Sequence, residues 1–403
     1  MNYLFEGKLD NTIHDISIDQ IMYLYEENEK ELQLSRRITN EEYDGQTAYT
    51  SVKDTRLATF IEYVVRQPRT DGVLIQYPYG TIIQQAESGH YYRGENQLFP
   101  ESTPSLYRKL KQFSAEEEKN LYRLVADMRI GEFKTLLNKF NHVIDWDYCD
   151  ILYDILAQHY GLETDWLDIT SDFNVALFFA TCFWDNNENK WKPLTKKQTE
   201  VDEQHKYGMI FHIPSNRMLL RNGLALNYLR NNPFYSENSP NNVVYPIGFQ
   251  PFMRCHMQNG YAMYMRKPHP LQTDIEFEKL RFRHDEGLSK WIFDKMEGGK
   301  LIYPHEGLNQ VDFVIDSIRN LTTFSKEAFQ YALAKNSLTT NTDKEIIKKA
   351  LQAYSINEKN VIIQDKPQWK LSSGRRQKIN LIYTDFSIEE YYNIKLLRHY
   401  TYK

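Results

Sequence analysis

The stretch Gln158-His-Tyr-Gly161, Thr164-Asp-Trp-Leu-Asp168-Ile-Thr170-Ser171-Asp172 and Val175-Ala-Leu-Phe-Phe-Ala180 decides how the whole chain is read. A polar turn carrying Asp165, Asp168, Thr170, Ser171 and Asp172 empties directly into an apolar segment that has to be buried. A Ser, Thr or Asp just ahead of such a run is a helix N-terminal signal, and the unpaired backbone N–H groups there attract anions. The same residues equally make an ordinary capped helix.

Outward from that junction, the composition bounds the possibilities. The chain has 403 residues, enough for two units or for one domain with appendages. Hydrophobic residues at 41% and aromatic residues at 14% supply ample core and argue against disorder. A net charge of -5 provides no global field for gripping a phosphate backbone. Cys149, Cys182 and Cys255 lack metal-knuckle or disulfide-framework spacing. Residues 1–10 carry Glu6, Lys8 and Asp10 where a leader would be apolar, and no run reaches 18 apolar residues. The expectation is a cytoplasmic protein with no membrane span and no metal.

The patterning predicts an α+β fold: a mixed central sheet from segments near 72, 91, 168, 208, 244, 261 and 278, flanked by helices, with a helical C-terminal region. The expected division is an N-terminal extension over 1–70, a central domain over 71–310 and a helical region over 311–403. Gly72 to Tyr77 and Thr81 to Gln85 read as a hairpin about Pro78-Tyr79-Gly80. Helices are expected over 18–34, 56–65, 114–139 (opened by a capping box at Ser114), 146–158, 287–297, 311–321, 326–334 and 343–354. Residues 185–204 and 219–240 read as loops, and 367–378, with Lys370, Arg375, Arg376 and Lys378, as a basic linker. That cluster suits either a nucleic-acid contact or plain solvation.

At Tyr92-Arg93-Gly94-Glu95, an Arg ends a Tyr-rich strand with a Gly behind it, leaving room for close backbone approach. Such an Arg grips a diphosphate through its guanidinium fork, or pairs with a nearby carboxylate. With Leu98-Phe-Pro100 and Pro104-Ser-Leu-Tyr-Arg108, then Gln158-His-Tyr-Gly161, Thr164, Leu167-Asp168, Thr170, Val175 to Ala180, the strand at 208–213 and Gln258-Asn-Gly-Tyr261, the chain resembles the FRG domain family of bacterial and phage proteins. The likeness covers roughly residues 70 to 310.

The motif order in turn resembles the Arg-Ser-Glu class of ADP-ribosyltransferases. That resemblance implies an NAD-dependent transferase or glycohydrolase, acting in defence or as a toxin on a protein or nucleic-acid acceptor. It implies that Arg93 holds the NAD pyrophosphate or ribose and that Thr170 and Ser171 brace the nicotinamide. Tyr92 or Tyr261 would stack on the ring, and Gln258 takes the place of the catalytic acid. Arg93, Ser171 and Gln258 are then the catalytic set; Tyr92, Gly94, His159, Asp168, Thr170 and Tyr261 line the cofactor site.

Two departures bear on this. Gln258 is neutral and can orient a group but not stabilise developing positive charge, which leaves Glu276 and Glu278 as other carboxylates to consider. Asp165 stands where relatives commonly carry an Arg. His159 reads as a general base or as a buried structural histidine, and Asp168 as a turn-ordering acceptor or a ligand contact. Cys255 reads as packing. Two functions therefore stand side by side: NAD cleavage, or a non-catalytic module that senses a nucleotide or small anion in the same pocket.

Overall fold

The computed structural model describes residues 4–5, 10–40, 73–77, 80–84, 89–214, 217–218, 243–265, 269–304, 307–338, 340–356 and 358–384. In chain order the elements used below are β1 (Ile13–Asp15), α1 (Ile18–Asn40), β2 (Val73–Tyr77), β3 (Gly80–Gln84), β4 (His90–Glu95), α2 (Glu116–Leu137) and α3 (Tyr153–His159). Then come β5 (Trp166–Thr170), α4 (Phe173–Thr181), β6 (Cys182–Asp185), β7 (Lys190–Pro193), β8 (Tyr207–Pro214), β9 (Val243–Pro246), β10 (Gly260–Tyr264), β11 (Glu278–Arg283) and α5 (Glu286–Lys295). The last four are α6 (Asp312–Arg319), α7 (Lys326–Lys335), α8 (Asn341–Ala353) and α9 (Ser373–Ile382).

The chain forms two compact units, one of residues 1–102, 168–304 and 388–403, the other of 103–167 and 305–387. The division expected from the sequence was 1–70, 71–310 and 311–403. The N-terminal residues are no extension, because Ile13, His14 and Asp15 pair in parallel with Lys279, Leu280 and Arg281 inside the first unit's sheet. The chain then leaves that unit after 102 and returns at 168, so its middle part joins the C-terminal helices.

The first unit is built on a seven-stranded mixed sheet of order β1-β11-β8-β4-β5-β10-β9. It supplies the expected α+β class. Six of the seven expected strands are in it; the segment near 72 is not, because β2 spends its ladder on β3 alone, from Val73 opposite Gln84 to Tyr77 opposite Gly80. β1 takes the seventh place. Asp172 caps α4 by accepting from the Asn174 N–H, and α4 is buried almost throughout. Phe173, Val175, Ala176, Leu177, Phe178 and Ala180 join Ile21 and Leu24 of α1 and Ile292 of α5 in one apolar core. Each fully buried large side chain there contributes roughly 1.5–3 kcal/mol, so α4 is the centre around which this unit condenses.

The second unit is organised on α2. Glu132, wholly buried, accepts from the Ser325 N–H (2.5 Å) and from the Trp369 indole (2.8 Å). Ser325 in turn caps α7, accepting from the Ala328 N–H, and Thr323–Ser325 pairs in parallel with Ile362–Gln364. α2 starts at Glu116 with Ala115 at its N-cap and no side-chain cap, so Ser114 does not open it; three acids in the first turn answer the dipole instead. α3 begins at Tyr153, not 146.

Two segments read as irregular are ordered. Within 185–204, β6 and β7 form a hairpin with Trp184 opposite Trp191. The second half of the basic linker, 373–378, is the first part of α9, and Lys370 lies ahead of it. The readings over 56–65 and 219–240 lie outside the described residues. Among the described residues no helix is long and apolar enough to cross a membrane, and no group of three or more His, Cys, Asp or Glu could hold a metal. Cys149, Cys182 and Cys255 are free thiols, and burial pushes the Cys182 thiol up to about 12.

Candidate functional site

Arg93 sits in β4 with 19% of its side chain exposed. Its Nε donates to Glu95 Oε1 (3.1 Å) and its Nη1 to the Asp168 carbonyl (2.8 Å). Glu95 is buried, and its second oxygen accepts from Ser102 Oγ (2.6 Å). β4 and β5 pair at Tyr92 opposite Thr170, and just beyond that pair the guanidinium reaches the Asp168 carbonyl. Among the described residues Nη2 carries no bond. Nε and Nη1 are held by the protein, and Nη2 keeps its two N–H donors.

The Thr170 junction is closed by the chain itself. Thr170 Oγ1 donates to the Gln258 carbonyl (2.7 Å) and accepts from the Asp172 N–H (3.0 Å). The Ser171 N–H donates to the Asn259 carbonyl (3.2 Å). Asn28 of α1 reaches in from the N-terminal segment: its Nδ2 donates to the Ser171 carbonyl (3.3 Å) and its Oδ1 accepts from the Phe173 N–H (2.9 Å). Asp172 accepts from Asn174 on one oxygen and from Asn259 Nδ2 on the other (3.1 Å). Protein packed around Asp172 raises its pKa, against the Asn174 bonds that lower it. Gln258 donates its side-chain amide to the Ile302 carbonyl (3.1 Å) and hydrogen-bonds the Tyr303 hydroxyl. Burial pushes Tyr303 up to about 12 against the pull of the Arg254 guanidinium, which lies 4.9 Å over its ring; the Asp168 carboxylate adds to the rise.

Residues 88–190 match the model of the FRG domain family. The chain carries an FRG domain. No curated protein and no solved structure matches the chain. The matched span includes Arg93, Thr170 and Ser171 and stops short of Gln258 and Tyr261.

Arg93 lies on β4, Thr170 at the end of β5 and Gln258 just ahead of β10, three neighbouring strands of the sheet. Tyr92 stands opposite Thr170, and residues alternate faces along a strand. Arg93 therefore projects to the face opposite that of Thr170. Gly94 projects with Tyr92, and what demands a glycine there is α4: a Cβ would lie 1.7 Å from the Ala176 carbonyl oxygen. The close approach read as a ligand's is that of a helix backbone. Tyr92 is 1% exposed, edge-on to Phe173 and stacked on His212, and Tyr261 is buried edge-on to Tyr91. Neither ring is open to a nicotinamide. The Thr170 hydroxyl and the Gln258 side-chain amide are also committed internally.

His159 belongs to the second unit, at the C-terminus of α3. There Gly161 adopts φ +79°, and Arg319 donates to the Tyr160 carbonyl from both Nε (3.1 Å) and Nη2 (2.5 Å). Thr164 Oγ1 donates to Gln158 Oε1 and accepts from the Trp166 N–H. The Gln-His-Tyr-Gly motif is thus a helix stop. Asp165 accepts from Arg123 Nη1 (2.6 Å).

Glu278 is no solvated edge residue. It is buried, accepts from His212 Nδ1 (2.7 Å) and from the Leu4 and Phe5 N–H groups (3.1 and 2.6 Å). His212 Nε2 faces His90 Nδ1 at 2.8 Å. Thr170, Tyr92, His212 and Glu278 lie opposite one another in a row across β5, β4, β8 and β11. Three strand spacings separate the ends of the row, about 14 Å, so Glu278 cannot replace Gln258 beside Thr170. Sequence reasoning missed His90, His212 and Asn28. A histidine inside the apolar strand Met209 to Ile213 was the available signal, but finding its partners requires the register of three strands.

Proposed function

We propose that this FRG domain is a binding module for a small phosphate-bearing anion of the nucleotide type, with Arg93 as the contact, and that it does not cleave NAD. One observation carries the reading: Arg93 is pre-oriented by Glu95 and the Asp168 carbonyl, with its Nη2 edge left over. A guanidinium so held loses little freedom on binding and offers paired donors that match phosphate oxygens.

Against transfer chemistry stands the commitment of Gln258. Its amide donor is used on Ile302, it carries no charge, and no carboxylate within the row can stand beside Thr170. The competing reading, an ADP-ribosyltransferase or NAD glycohydrolase, needs both a stacked nicotinamide and an electrostatic partner for the ribosyl cation. The experiment is a thermal-shift titration of the full chain with ADP, ATP, NAD and pyrophosphate, alongside a nicotinamide-release assay. Stabilisation without released nicotinamide supports the module. Absence of any shift, or nicotinamide release abolished by Arg93→Ala, overturns it.

A further inference from the structure

The second unit has an electrostatic feature unrelated to Arg93. From residue 366 to 384 the chain holds five cations, Lys366, Lys370, Arg375, Arg376 and Lys378, and no acid. All five are exposed. The nearest acid before them, Asp365, is paired with Lys326 (2.5 Å), and none of the five forms an ion pair with a described residue. A chain of net charge -5 thus concentrates five positive charges in one short segment, the first of them beside Asp365.

The segment is not a solvated linker, because three anchors fix it. The Trp369 indole donates to buried Glu132, Ile379 is fully buried, and Tyr383 stacks on His142 with ring centroids 3.8 Å apart while its hydroxyl accepts from the Gly307 N–H (3.2 Å). Between these anchors α9 starts with Ser372 capping the Arg375 N–H. Arg375 and Arg376 therefore lie in the first turn, where the helix dipole disfavours cations. Held in place and mutually repelling, these cations weaken the helix that carries them unless an anion is bound. Phe313 of α6, 47% exposed, lies under the Arg375 guanidinium at 3.9 Å, an aromatic face of the kind on which bases stack.

We propose that this surface, Lys366 to Lys378 with Phe313, binds a single-stranded nucleic acid through its phosphates. Charge complementarity selects a polyanion, and the exposed aromatic beside the cations favours a strand with accessible bases over a lipid surface. The binding is electrostatic and tolerant of sequence, with base stacking on Phe313 as a secondary contribution.

The test is fluorescence anisotropy of a labelled single-stranded oligonucleotide with the full chain, across a salt series. Five neutralised phosphates give a slope of about -3.5 in log affinity against log salt, a loss of about a hundredfold between about 50 and 200 mM. Arg375→Glu with Arg376→Glu makes that slope shallower by about 1.4 and weakens binding more than about tenfold at low salt. That variant keeps its fold, since acids suit the first turn of a helix. A control pair of exposed cations in the same unit, Lys349→Glu with Lys359→Glu, leaves binding within about twofold. No salt-dependent binding, unchanged binding by the Arg375/Arg376 variant, an equal loss in the control, or equally tight binding to phosphatidylserine vesicles overturns the proposal.

Discussion

Two arginines, one in each unit, pose the same chemical problem and solve it differently. Arg129 of α2 is 6% exposed, and every nitrogen of its guanidinium is used: Nε and Nη2 on the Leu321 carbonyl (3.3 Å each), Nη1 on the Tyr122 hydroxyl (3.2 Å) and Glu163 (3.3 Å). Arg93 keeps a fifth of its side chain open and has one nitrogen with no bond among the described residues. A closed guanidinium holds a fold together. One with a spare edge, oriented by a buried carboxylate, is equipped to hold something else. Charge does not separate the two; burial and the count of donors still available do.

Breaking the closed arginine gives the largest effect. Arg129→Ala leaves Glu163 and the Leu321 carbonyl without their cation and lowers unfolding free energy by about 3–5 kcal/mol in a urea titration, whereas Arg93→Lys, which keeps a cation beside buried Glu95, costs less than half as much. Equal losses would erase the distinction. Gly94→Ala comes next, since its Cβ meets a helix carbonyl that cannot step aside; overpacking of this kind costs about 1–3 kcal/mol or more, seen as a lower Tm with no direct contact to ligand. Gln258→Glu restores the acid of the transferase pattern but faces the Ile302 carbonyl with a carboxylate, costing about 1–3 kcal/mol, and nicotinamide release from NAD stays at background.

The smallest effect is a pH dependence close to Gln258. Burial pushes His256, packed 4.7 Å from the Phe249 ring, down to about 4. A folded-state pKa below the unfolded 6.5 means that its contribution to stability is complete above pH 6.5 and is lost as pH falls toward 4. His256→Phe, which keeps the aromatic contact, flattens stability over that window. If the wild type and His256→Phe lose stability in parallel between pH 6.5 and 4, the histidine is not the group responsible.

What the sequence made legible was local. The hairpin about Gly80, the strand bearing Tyr92-Arg93-Gly94, the Asp172 start of α4 and the helices after 311 all follow from turn residues, alternation and apolar period within a few positions. β1 was not legible, because three residues pairing in parallel with a strand more than 260 positions later leave no local signature. The same is true of the excursion from 102 to 168, which the regular patterning of α2 conceals. At the site, Arg93 was identified by residue type, but its separation from Thr170 depends on one cross-strand pair, and Glu95 as its partner depends on the two sharing a face. Gly94 was correctly singled out for close approach, and only the packing of α4 says what approaches.

The account's central claim, that the spare edge of Arg93 takes a phosphate-bearing anion, is tested most directly by isothermal titration of the full chain with ADP, comparing wild type with Arg93→Lys. Lysine keeps the charge but not the paired donors. The account predicts saturable one-to-one binding that weakens more than about tenfold in Arg93→Lys with unchanged thermal stability. Equal affinity in the two proteins, or no heat of binding in either, would contradict it.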